Sequence, residues 1–277
     1  MQKSLGVKFE SFKTNLFNDS AVVMPTPADD SPRPETISYA MSNGWCWKIP
    51  LTNRFGNGYV YSSDFISADD AETELRTFLG TLDSDEEARH LKMNVGQLEK
   101  HWEKNCIALG LSQGFIEPLE ATALLLVQQA IEMFIARYEK GKFSAEFRDD
   151  YNARVHERFE RVRDYIVAHY KLNTRDDSEY WKANRDNMEL SSSLRHILDV
   201  WYRRGDLTKE IQRQDIESHF TSLSWHCLLA GYGAFPPLAA DQAGRGDAYK
   251  DQNVAQFLSG CSLNFESHKD NLEAMRD

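Results

Sequence analysis

Bulky side chains recur at a spacing of two between Gly44 and Ser63 and at three and four beyond Glu117, so this chain must join a sheet to a helical layer. Trp45, Trp47 and Ile49 alternate with Cys46 and Lys48, as along a half-buried strand. Arg54-Phe-Gly-Asn-Gly58 leads into a second alternating run, Tyr59 to Ser63, and the spacing predicts a hairpin over residues 44–66. Its aromatic face, taken as Trp45, Trp47, Tyr59 and Tyr61, suits either an aromatic-ligand pocket or a packed core.

Residues 1–44 hold Pro25, Pro27, Pro32 and Pro34, with Pro50 just beyond, and read as connecting structure apart from one short strand at Ala21–Met24. Ser67-Ala-Asp-Asp70 has the form of a helix cap, and that helix should stop at Gly80. Residues 88–109 show no clear period. Glu117-Pro-Leu-Glu120 opens a helix through Leu124, Leu125, Val127, Ile131, Phe134 and Ile135, with Pro118 where its missing N–H costs nothing. Phe147, Tyr151, Val155, Phe159, Val162 and Ile166 predict a second helix over about 144–171. Others are predicted at about 187–204, closed by Gly205, and at 215–230, before a polar tail of weak helical period. The fold class is α+β, with a β-containing part over residues 1–115 and a mainly helical region over 116–277.

A chain of 277 residues that is 41% hydrophobic can bury a sizeable core. A net charge of -11 with no basic cluster argues against nucleic acid as a partner. No apolar run reaches the roughly 20 residues a membrane span needs, and Met1–Lys13 lacks a signal-peptide stretch, so a cytoplasmic protein is expected. Cys46, Cys106, Cys227 and Cys261 form no C-x-x-C pair and are expected to be reduced, buried and inert. His219 and His226 lie seven apart without a matching carboxylate, so no metal is expected.

Glu120 is the chief candidate for chemistry, because a carboxylate in the first helical turn lies beside unpaired amides, here those of Thr122 and Ala123, that suit a small anion. By itself such a residue can equally complement the helix dipole. Glu117 and Glu120 are set aside as an acid and base pair, since i,i+3 neighbours on one turn seldom flank a substrate. Ser224-Trp-His-Cys227 adds an aromatic and an imidazole in the helical region. Gly-x-Gly-x-x-Gly is absent: Gly56-Asn-Gly58 runs on into Tyr59, and Gly110 and Gly114 have the wrong spacing.

Three stretches resemble the flavin-dependent tryptophan halogenases: Gly44-Trp-Cys-Trp-Lys-Ile-Pro-Leu51 with Arg54 to Ser63, Asn105 through Glu117-Pro-Leu-Glu-Ala-Thr122, and Arg163-Asp-Tyr-Ile-Val-Ala-His-Tyr170. The resemblance runs from about Leu5 to Glu266-Ser-His268 in the family's order. It implies part of a flavin-monooxygenase-like sheet region followed by a helical substrate domain. In the family, reduced FAD from a separate flavin reductase, oxygen and halide give hypohalous acid, which reaches a lysine and a glutamate beside an aromatic ring.

By that resemblance Glu120 is the catalytic glutamate, while the lysine and the Gly-rich flavin segment would lie in an N-terminal part not included here. Thr122 and Ala123 match the halide-binding turn, with Ala121 and Ala123 where many members have Ser and Gly. Trp45 and Trp47, with Ile49 and Pro50, resemble the flavin-tunnel wall, and Trp225 and Phe220 stand at the substrate end. The substrate implied is tryptophan, a peptide-borne tryptophan or another electron-rich ring, and the chain would act only with a flavin-binding half. The competing reading is a non-catalytic remnant or a helical binding module.

Overall fold

The computed structural model describes residues 1–29, 34–236 and 254–275. Pro32 and part of the polar tail lie outside the described residues. After the short helix α1 (Gln2–Leu5), the N-terminal part carries strands β1 (Phe9–Ser11), β2 (Ser20–Pro27), β3 (Ile37–Met41), β4 (Gly44–Pro50) and β5 (Arg54–Tyr61). Helix α2 (Ala68–Leu79) follows, then β6 (Arg89–Lys92), β7 (Gly96–Leu98), β8 (Trp102–Glu103), β9 (Cys106–Ile107) and β10 (Gly114–Phe115). The main sheet is antiparallel in the order β3-β4-β5-β2-β6, beside a smaller β1-β7-β10 sheet and a β8-β9 ribbon.

Two expectations for this part are corrected. Residues 1–44 are not mainly connecting structure, because β2 runs eight residues and pairs with both β5 and β6. Its prolines fit because β6 covers only Ser20–Val23, so Pro25 and Pro27 sit where the outer edge needs no donor. Nor do the four hairpin aromatics share one face. Trp45 pairs with Val60 and Cys46 with Tyr59, and alternation then places the tryptophans on one side and both tyrosines on the other. Trp45, Val60 and Ala21 join the large core, whereas Tyr59, Tyr61, Cys46, Val22 and Met24 pack under Ala71 and Leu75 of α2.

The helical part comprises α3 (Ala123–Lys140), α4 (Arg148–Lys171), α5 (Glu179–Asp186), α6 (Ser192–Tyr202), α7 (Leu207–Arg213), α8 (Ser222–Gly231), α9 (Val254–Ser262) and α10 (His268–Ala274). Helix α4 is the spine, burying residues on every side from Tyr151 to Tyr170. Where one helix was expected over 187–204, α6 is shorter, and Gly205 N–H closes its end on the Val200 carbonyl at 2.8 Å. The expected 215–230 helix is α8 alone, with α7 before it. Of the four cysteines only Cys46 is buried, so the expectation of four buried thiols fails for Cys106, Cys227 and Cys261.

Candidate active site

Between β10 and α3 the backbone makes two turns that set everything else. Pro118–Glu120 is a 3-10 turn with Pro118 at its start, and Ala121 closes it in the left-handed region at φ 53. Helix α3 begins only afterwards, with Thr122 as its cap residue. Glu120 is therefore not in the first turn of α3, as the Pro118 signal suggested, but one kink ahead of it. A left-handed alanine costs of order 1–3 kcal/mol and persists only where its surroundings fix it. The Thr122 side chain makes no cap bond, and the first-turn amides, Ala123 included, have no intrahelical acceptor.

Glu120 keeps 30% of its side chain exposed, and its Oε1 lies 2.5 Å from Nε2 of His169 on α4. The other ring nitrogen of His169 is 3.2 Å from the Tyr232 hydroxyl. Tyr165, one helical turn before His169, meets that imidazole edge-on at 5.5 Å. Phe220 stacks flat on Tyr165 at 3.7 Å, and Trp225 meets it edge-on at 4.8 Å. The structure thus brings Glu120, Phe220 and Trp225 together through two α4 side chains, with Trp225 buried and Phe220 half-buried.

Glu117 has a different setting. It is fully buried, and its Oε2 accepts hydrogen bonds from Asn18 at 2.8 Å, the Trp45 indole at 2.8 Å and the Tyr170 hydroxyl at 2.6 Å. Asn18 accepts in turn from the Tyr180 hydroxyl at 2.9 Å. Burial pushes the Glu117 carboxyl up, against those three donors, and holds the Tyr170 and Tyr180 hydroxyls well above 10. The Glu117 node ties β4, α4 and α5 to the turn that carries Glu120. Sequence reasoning missed it and His169 alike. The available signal was a lone acid between Phe115-Ile116 and Pro118, and an imidazole beside Tyr170 in an otherwise apolar turn.

Trp45 and Trp47 lie 5.9 Å apart on the inner sheet face. Trp47 lines a cavity of about 700 Å³ with Ala21, Val60, Met93, Phe115 and Pro118. Gly58 lets its ring lie flat, since a Cβ there would stand 2.1 Å from it. Ile49 follows on the same face by alternation, but Pro50 does not join this wall: it lines a separate recess with Tyr39, Lys48 and Phe55. Elsewhere, Glu10, His156 and Glu160 bring possible metal-ligand atoms within 4.8 Å of one another, a long-range grouping that spacing in sequence cannot reveal. No helix among the described residues is long and apolar enough to cross a membrane.

Residues 1–245 match the tryptophan halogenase family. The chain belongs to that family. It is 35% identical to the 7-chloro-L-tryptophan 6-halogenase KtzR of Kutzneria sp. (strain 744), over 92% of this chain and 49% of that protein. The tryptophan 6-halogenase SttH of Streptomyces toxytricini superposes with a TM-score of 0.75 at 33% identity, covering 85% of this chain and 48% of that one. BrvH, a flavin-dependent halogenase of Brevundimonas sp. BAL3, gives 0.79 at 31%, covering 98% and 55%. This family member therefore spans about half the length of the curated relatives it matches. The mixed α+β architecture is that of its halogenase neighbours.

Proposed function

We propose that this chain is the substrate-side portion of a flavin-dependent halogenase acting on tryptophan or another electron-rich aromatic ring, free or in a peptide. The observation that carries the reading is the half-exposed Glu120 carboxylate, held by His169 at a kink next to the open amide end of α3. Replacing a ring hydrogen by halogen releases a proton. Glu120 is the base that takes it or polarises the halogenating species. The Thr122 and Ala123 amides are the halide contacts, since a helix start favours an anion.

Reduced FAD, delivered by a flavin reductase, supplies with oxygen and halide the electrophilic halogen. The apolar cavity beside Trp47 fits a flat ring system, and Lys3 and Lys92 lie at its lining. The flavin phosphates need a Gly-rich cradle that these residues lack. Those contacts are assigned to a separate or preceding flavin-binding half. Trp45, anchored by Glu117, and Trp47 wall the passage and keep the aromatic substrate from the flavin. The alternative of a non-catalytic module has no observation in its favour.

In the chain assembled with its flavin-binding half, Glu120→Gln should lose at least about 100-fold in halogenation while substrate binding is retained. Turnover near wild type would remove Glu120 from the chemistry.

A further inference from the structure

We infer that His169 is the positioning residue for Glu120 and that Tyr232 fixes the imidazole behind it, an inference resting on the reading of Glu120 just given. His169 lies 49 residues from Glu120 in sequence, on α4, which buries more residues than any other helix among the described residues. A carboxylate can only accept, so the 2.5 Å contact requires the hydrogen on Nε2 of His169. A neutral imidazole then presents Nδ1 as an acceptor, and the Tyr232 hydroxyl stands 3.2 Å from it as the donor. The two bonds thus agree on one tautomer. Tyr165 and Tyr232 also meet the ring edge-on, at 5.5 Å with 76° between planes and at 5.8 Å with 80°.

The consequence for Glu120 is directional. Its backbone ends a short turn closed by a left-handed alanine, and its own side chain has three rotatable bonds. Holding Oε1 against a ring anchored on α4 removes that freedom and leaves Oε2 for the substrate proton. His169 acts through the carboxylate that it holds. Misplacing a base by about 1 Å is enough to cost on the order of 100-fold in rate.

Two measurements test this. In the chain assembled with its flavin-binding half, His169→Leu should lower kcat about 10- to 100-fold with KM for the aromatic substrate within about twofold. His169→Gln, whose amide can still donate to Glu120, should recover most of that loss. Equal losses in both variants, or wild-type kcat in His169→Leu, would overturn the inference. Nitrogen-15 and proton NMR of the histidine rings in the same assembly provides a readout without turnover: the Nε2–H proton of His169 should show the downfield shift of a hydrogen bond to a carboxylate and lose it in Glu120→Ala. An unchanged Nε2–H shift in Glu120→Ala overturns the inference too. An inactive wild-type assembly would sink the halogenase reading instead, and the NMR result would still decide the role of His169.

Discussion

Glu117 and His101 show at single-residue scale how burial decides what a polar side chain does. Glu117 was set aside because it shares a short turn with Glu120, yet three donors converge on it from Asn18, Trp45 and Tyr170, up to 99 residues away in sequence. His101 is fully buried, stacked on Phe159 at 5.5 Å, with Nε2 on the Gln97 side chain at 3.2 Å. Burial, helped by the nearby His156, pushes its imidazole down to about 3. The folded state thus refuses a proton that the unfolded chain takes up below 6.5. Stability from this group is present above 6.5 and is lost as pH falls towards 3, about 2 kcal/mol of it by pH 5. Urea denaturation between pH 7 and 5 should show this fall, and His101→Gln should flatten it. An unaltered slope would mean that other groups carry the acid sensitivity.

Helices α2 and α3 mark how far an element can be foreseen. The α2 cap is as predicted: the Ser67 hydroxyl accepts from Asp70 N–H at 3.1 Å, and Gly80 closes the far end at φ 70. Ser67→Ala should cost about 1 kcal/mol, seen as a lower melting temperature with an unchanged denaturant slope. No change would mean that the Asp69 and Asp70 charges suffice at that end. For α3 the apolar residues that mark the helix in sequence are mostly not the ones it buries. Leu126, Ala130 and Met133 are buried, whereas Leu124, Leu125, Ile131 and Ile135 point outward. A helical period reveals an apolar stripe but not which partner covers it.

At the scale of the molecule, one core runs from Phe12 and Trp45 in the sheet part to Leu229 in α8, so sheet and helices stabilise one another. The exposed stripe of α3, with Leu111 beside it, and the sheet edges β3 and β6 remain uncovered within the described residues. Contiguous apolar surface and open edges favour association. This chain by itself should self-associate at micromolar concentration despite its charge of -11, as light scattering after size-exclusion chromatography would show. A compact monomer would refute that expectation.

The sequence by itself determined what local chemistry can dictate: the β4–β5 hairpin from its alternation, the α2 cap from Ser67, and Glu120, Trp45 and Trp47 as site candidates from their motifs. Tertiary structure decided which hairpin aromatics face the same way, since strand register sets that, and it separated Pro50 from the tryptophan wall. It alone produced the Glu117 node and the pairing of Glu120 with His169, because hydrogen bonds spanning 49 to 99 residues join the segment before β2, strand β4 and α4 to a single turn. A period or a cap is written into neighbouring residues; a partner across the core is written only into the packing of the whole chain.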